Sequence, residues 1–292
     1  MKKNLFFFLL LMAAIGFSLP LQAADPTLVI STGKEGGGYN TIGKRLQSVM
    51  AEQDISVKIL TSVGSLENLK HLDDPASPVN LGLSQADALK YYLHEHPDFA
   101  NKMMTLGEIG KECVFIVTGK DSGIRSDGDL QVNRGNLMAI RDPDSGTAVT
   151  YSYMIQLEPK FKNTPAAFVD TMEALLQIKT GGEQNKIKAA MFVQRPTAKS
   201  AEMQAVLNDP KDFRFIPVTD WDLNDKLPDG SAVYTFEKVT VAEKKWGFDT
   251  TVDTICTRGL LLAARDKLSA DLRERLAKVM LLASSRVVGE TP

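Results

Sequence analysis

Apolar and polar positions along the chain follow two alternating periods. Short apolar runs at 28–30, 81–84, 113–118, 137–140, 189–193, 213–217 and 259–264 have the length of buried strands, and residues 55–60 alternate Ile55, Val57 and Ile59 with more polar neighbours. Between them come segments of helical period. Ile42, Leu46, Val49 and Met50 recur at intervals of three and four, as do Leu66, Leu69 and Leu72, and at the end Leu272, Leu276, Val279 and Met280. Further helices are predicted over 86–93, from about 146 through Leu157, over 172–178 and over 198–207. Strand, helix, strand in succession means parallel pairing with right-handed crossovers. The stretch 221–245 is mixed and irregular, and no element is predicted there.

The αβ series runs twice. A polar break, Gly119-Lys120-Asp121-Ser122-Gly123, separates the two series, and the last strand and helix are expected to return to the first lobe. The expected division is therefore 24–118 with 258–292 as lobe I and 119–257 as lobe II. In an open parallel sheet the loops after the strands line the ligand crevice. Those loops are 32–40, 61–65, 85–87 and 141–147.

The loop Thr32-Gly33-Lys34-Glu35-Gly36-Gly37-Gly38-Tyr39-Asn40 carries the clearest chemistry. Glycines let a ligand approach the backbone, and a helix starting at Tyr39 leaves unpaired N–H groups facing the loop, a seat for a carboxylate, phosphate or sulfonate. Ser145-Gly146-Thr147, with Ser145 as N-cap, offers a second such seat. Arg195, following the strand at 189–193, suits a bidentate clamp on a carboxylate, and Arg141 is a second candidate by the same logic. Tyr39 combines an apolar body with a polar tip that could contact the ligand.

Composition narrows the class. Hydrophobic content of 43% with 24% charge is globular, and 34 Lys+Arg against 36 Asp+Glu leaves no basic field for nucleic acid. The glycine loop lacks the Lys-Ser/Thr of a P-loop and the spacing of a dinucleotide fingerprint; no G-x-S-x-G elbow or H-E-x-x-H pair occurs. No metal, cofactor or enzymatic activity is expected. The start of the chain, Met1-Lys2-Lys3, then an apolar run from Leu5 to Ile15, then Leu21-Gln22-Ala23-Ala24, has the three regions of a secretory signal peptide covering 1–23, which implies a periplasmic protein. In an exported chain the two cysteines, Cys113 and Cys256, form either one disulfide or two buried thiols.

Three stretches together resemble a known family: 30–43 around the glycine loop, Thr61-Ser62-Val63-Gly64-Ser65-Leu66-Glu67-Asn68-Leu69, and Leu81-Gly82-Leu83-Ser84-Gln85-Ala86-Asp87, with Ser145-Gly146-Thr147 in the second lobe. This pattern resembles the solute receptors of the TAXI class of tripartite ATP-independent periplasmic (TRAP) transporters. The resemblance implies an α/β, type II periplasmic binding protein fold, with two αβ lobes joined by a strand hinge and closing on a small organic anion. The implied ligand is a dicarboxylate or an acidic amino acid such as glutamate, passed by a monomeric receptor to a TRAP permease. Carried over by position, the ligand contacts are Gly37, Gly38, Tyr39, Asn40, Ser65, Gln85, Ser145, Gly146 and Thr147. The chain departs from the family at Lys34, where glycine is usual, at Asn40, where a second aromatic is common, and at Arg195, where a small residue is usual. A receptor of an ABC importer for sulfonate, phosphonate or a thiamine precursor shares this fold and is the alternative within the binding class. An exported enzyme acting on a small anion is the alternative outside it.

Overall fold

The computed structural model describes residues 27–132, 134–182, 184–227, 230–243 and 247–289. The expected signal peptide, 1–23, lies outside the described residues. The first series is β1 (Leu28–Ser31), α1 (Gly38–Ala51), β2 (Val57–Leu60), α2 (Ser65–Asp73), β3 (Leu81–Gln85), α3 (Ala86–Glu95) and the short α4 (Phe99–Lys102). A long strand, β4 (Met103–Gly119), leads to α5 (Asp127–Leu130), β5 (Leu137–Ala139), α6 (Gly146–Leu157), β6 (Ala166–Ala167), α7 (Thr171–Thr180), β7 (Ile187–Gln194), α8 (Ala201–Asn208) and β8 (Phe213–Ile216). The chain closes with β9 (Thr235–Ala242), β10 (Thr250–Ala264) and α9 (Ala270–Val288).

The strands form one ten-stranded sheet in the order β2-β1-β3-β10-β4-β7-β5-β6, with β8 on β4 and β9 on β10. β1 pairs parallel with β2 and β3, and β5 parallel with β6 and β7, as two crossover series require. The return strand β10 enters antiparallel between β3 and β4. Two αβ units joined through a pair of long antiparallel strands is the type II periplasmic binding protein fold.

β4 and β10 form the hinge. Met103 to Glu112 pair with the C-terminal half of β10, whereas Cys113 to Gly119 pair with β7 and β8. The change of pairing partner falls at Cys113, ahead of the polar break after Thr118. β4 is nearly three times as long as its apolar run. Its first ten residues, Met-Met-Thr-Leu-Gly-Glu-Ile-Gly-Lys-Glu, are polar enough to hide a strand from a reading based on apolar content. At the crossing the register slips by one residue opposite Ile109, and Gly110 takes φ +113°, a bulge that turns the strand between lobes. Cys113 and Cys256 face each other in register across this pair and are joined by a disulfide.

The alternation of side chains along the hinge strands builds three apolar clusters. Val114 and Ile116 of β4 and Leu260 and Leu262 of β10 point to one face, where α2, α3 and α6 share a core that runs through both lobes. Leu261 and Ala263 point to the other face, under α1 and α9; Phe115, Val117 and Cys256 point there too, under α7 and α8. The core is thus continuous on one face of the sheet and split in two on the other. The irregular 221–245 supplies a 3-10 turn at Trp221–Leu223, buried Val233 and Tyr234, and edge strand β9.

Candidate functional site

The split in the core is a cleft of about 720 Å³, lined by Ile42 from one cluster and Phe192 from the other. Four helix starts open onto it, those of α1, α2, α6 and α8, the last capped by Ser200. α1 is preceded by Gly37 and α2 by Gly64, neither of which has a side chain to cap the first N–H groups, so these face the cleft unspent. α6 enters from the second lobe, capped by Ser145, whose Oγ accepts from Ala148 N. The starts of α2 and α6 nearly touch. Gly64 has φ +145°, and a Cβ there would lie 3.0 Å from Gly146 N, while a Cβ on Gly146 would lie 2.1 Å from Gln85 Oε1. Glycine at both positions is what lets two lobes bring helix ends to one point. Aligned N-termini give the cleft a positive field without any charged side chain.

Of the residues singled out in the sequence, Lys34, Gly37, Gly38, Tyr39, Ser65, Gln85, Arg141, Ser145, Gly146, Thr147 and Arg195 line this one cleft. Asn40 does not: its side chain is buried beneath the loop and accepts from Gly36 N, so it shapes the glycine turn rather than facing a ligand. Ser65 Oγ donates to Gln85 Oε1 at 2.8 Å, which fixes the amide against the start of α6. Lys34 spans the cleft to Asp142 at 2.6 Å, and Lys70 reaches Asp144 at 2.7 Å.

The two arginines exchange the roles expected of them. Arg195 donates to Ile109 O at 2.6 Å and to Val288 O, so its guanidinium ties the end of β7 to the hinge bulge and to the C-terminal carbonyls of α9. Arg45 of α1 donates to the same Val288 O at 3.0 Å. Guanidinium groups at a helix C-terminus satisfy its orphan carbonyls and suit its dipole. The clamp expected at Arg195 is therefore largely a structural tie. Arg141 carries the features of a ligand contact. Its backbone is left-handed at φ +65°, its Nε is buried without a hydrogen-bond partner, and the Glu202 carboxylate is 3.8 Å away. A bulky residue held in that region is strained, and such strain collects at binding sites.

A family model described as NMT1-like family matches residues 30–287, almost the whole described chain. The chain belongs to the NMT1-like family. No sequence relative was found among curated proteins. Among solved structures, this NMT1-like protein shares its fold with "XAC2383 from Xanthomonas citri bound to ATP", at 13% identity and TM-score 0.55 over 90% of this chain and 87% of that one. It also shares it with the periplasmic aliphatic sulphonate binding protein SsuA from Escherichia coli, at 14% identity and TM-score 0.52 over 91% and 74%. A third, MatC from Rhodopseudomonas palustris with bound malate, matches at 12% identity and TM-score 0.52 over 89% and 84%.

Two acids of the NMT1-like chain differ from their reading in the sequence: Glu112 is not among the residues singled out there, and Asp87, expected in the crevice loop 85–87, does not line the cleft. Glu112, on the hinge strand, lines the cleft floor, and its Oε2 accepts from the Tyr39 hydroxyl at 3.0 Å. Burial pushes its carboxyl up to about 7, against the Tyr39 hydrogen bond and the nearby Arg195 charge, which pull it down. Its only signal in the sequence is a charged residue directly before an apolar strand. Asp87, one residue after the start of α3, is fully buried outside the cleft and accepts from Thr150, Tyr234 and Ala88 N; burial raises its pKa. Among the described residues, one group of acids, Glu158, Asp220 and Asp222, is close enough to hold a metal, but none of them lines the cleft and Lys160 already pairs with Glu158.

Proposed function

We propose that this protein is an exported, monomeric receptor that binds a small organic anion between its lobes and hands it to a membrane permease of the TRAP type, as the TAXI resemblance implies. The observation that carries the reading is the convergence of the uncapped N-termini of α1 and α2 with that of α6, beside Arg141, in one cleft that both lobes share. Fixed dipoles and a guanidinium select for an anion, and contacts from both lobes favour the closed form when it binds. A micromolar dissociation constant corresponds to only about −8 kcal/mol, within reach of such contacts after desolvation. Malate bound to MatC supports a small dicarboxylate as the class; acidic amino acids such as glutamate fit the same chemistry. The sulphonate binding by SsuA keeps an ABC-importer receptor as the second reading. Binding rather than turnover is favoured because the sequence carries no nucleophile elbow and no H-E-x-x-H pair, and the Ser65 hydroxyl is spent on the Gln85 amide.

A thermal-shift and native mass spectrometry panel of dicarboxylates, 2-hydroxy acids, acidic amino acids, sulfonates and phosphonates tests the class. Stabilisation by a carboxylate, lost in Arg141→Ala, is expected. A response to sulfonates alone would move the protein to the second reading, and conversion of a compound into a product would make it an enzyme. A neighbouring gene for a multi-spanning fused permease, rather than for an ATPase, is expected of a TRAP receptor.

A further inference from the structure

An acid on the floor of a cleft built for anions needs a reason. Glu112 lines the same cleft as the helix starts, on the strand that crosses between the lobes. Of its neighbours, the Arg195 guanidinium supplies the positive charge, which pulls the carboxyl down without outweighing its burial. From α1 comes the Tyr39 hydroxyl, and Arg45 of the same helix is turned to Val287 and Val288 carbonyls. From the end of β7 comes Arg195, whose donors go to Ile109 O and Val288 O. α3 contributes the negative charge of Asp87, and β10 places the uncharged Thr257 opposite, with Arg258 drawn away to Glu108. Lys199 and Glu202, near the start of α8, line the far wall, and Glu202 is engaged with Arg141. Among the described residues no lysine or arginine lies within ion-pair distance of Glu112, and the Tyr39 hydroxyl donates to its Oε2.

We propose that Glu112 is the specificity-determining residue of the cleft, recognising the anion as a protonated carboxyl that donates a hydrogen bond to it, so that each anion is bound together with one proton. This rests on the anion-receptor reading above. A carboxylate a few ångströms from a second anion in a partly desolvated site is repelled; a carboxyl is a donor at the same place. Burial already holds the empty-site acid near neutrality, at about 7, and a bound anion raises it further, so proton uptake accompanies binding near neutral pH. By linkage the affinity is constant in mild acid and falls toward tenfold per pH unit above the empty-site value, until the bound-state value is passed.

The test is isothermal titration with succinate, malate and L-glutamate, from about pH 5 to about pH 9, in buffers of contrasting ionisation enthalpy. The expected result is uptake of close to one proton per ligand near pH 8 for at least one probe, with an affinity that declines above about pH 7. Glu112→Gln, checked for folding by its melting curve, loses both the proton uptake and the slope. Binding with no proton uptake and no slope overturns the inference and leaves the anion reading intact. So does an affinity that rises with pH and vanishes in Glu112→Gln, which would mean that the ligand donates to Glu112. Failure of all three probes to bind at any of these pH values overturns the proposal together with the carboxylate reading on which it rests.

Discussion

The Asp87 carboxylate accepts a hydrogen bond from the Thr150 hydroxyl at 2.6 Å, joining α3 of the first lobe to α6 of the second inside their shared core. The Tyr234 hydroxyl donates to the same oxygen at 2.8 Å. Asp87→Ala strands two buried hydroxyls and is expected to cost about 2–4 kcal/mol in urea unfolding. Asp87→Asn keeps the shape and costs less. The pH dependence separates the two states of the acid. Its folded-state pKa lies above the ordinary value, so its contribution to stability is complete below that ordinary value and is lost as pH rises through the raised one. Urea midpoints taken from acid to neutral pH should fall more steeply for the wild type than for Asp87→Asn.

Arg141 and Arg195 separate binding from stability. Arg141→Ala removes a guanidinium that pairs with Glu202 only at 3.8 Å, so the affinity for the best-binding carboxylate should drop by about 10–150-fold, the equivalent of about 1.5–3 kcal/mol. The melting temperature of the free protein should hold or rise with Arg141→Gly, which relieves the left-handed backbone. Arg195→Ala should do the reverse, costing about 1.5–3 kcal/mol of unfolding free energy as the hinge bulge and the end of α9 lose their tie. Lysine should not rescue it, because one ammonium replaces a planar fork that reaches two carbonyls. Calorimetric titration and thermal melts of the four variants decide the matter.

How far the sequence could be read depended on the range of the interaction. Apolar period placed β1, α1, β3 and α9 nearly residue for residue, because each buries one face against neighbours that share its period. The glycine loop and Ser145-Gly146-Thr147 were legible as helix starts, since capping chemistry is local. That both open on one cleft depends on sheet order. Arg195 lines the cleft, but its partners, Ile109 O and Val288 O, are 86 and 93 residues away and are main-chain atoms that no side-chain pattern marks. Glu112 was missed because half of β4 is polar, and the acid's environment comes from α1, α3 and β7 rather than from its own strand. Residues 221–245 were unreadable because Val233 and Tyr234 are buried by tertiary packing against α6 and not by a period of their own.

The Cys113–Cys256 bridge closes a loop of 143 residues across the hinge pair. In the chain-entropy model a loop of that length is worth about 5 kcal/mol through restriction of the unfolded chain. The double variant Cys113→Ala/Cys256→Ala should therefore unfold at markedly lower urea concentration, and the wild type with reductant should approach it. Equal midpoints with and without the bridge would show that the hinge strands hold the unfolded chain together by other means.

Lys34–Asp142 and Lys70–Asp144 both bridge the lobes at the cleft, each with its lysine half exposed. Exposed pairs contribute little, up to about 1 kcal/mol each, which for folding would go unnoticed. For an equilibrium between open and closed lobes the same energy matters, because about 1.4 kcal/mol is a tenfold change in the ratio. Both pairs exist only when the lobes meet, so they bias the empty receptor toward closure. Removing them in Lys34→Ala/Lys70→Ala should raise the radius of gyration of the ligand-free protein in small-angle scattering at low salt. Near 1 M salt, where the screening length is about 3 Å, wild type and variant should converge. The variant should also take up ligand faster, since a cleft held shut must open before an anion can enter. Superimposable scattering at low salt would show that the two pairs do not latch the lobes.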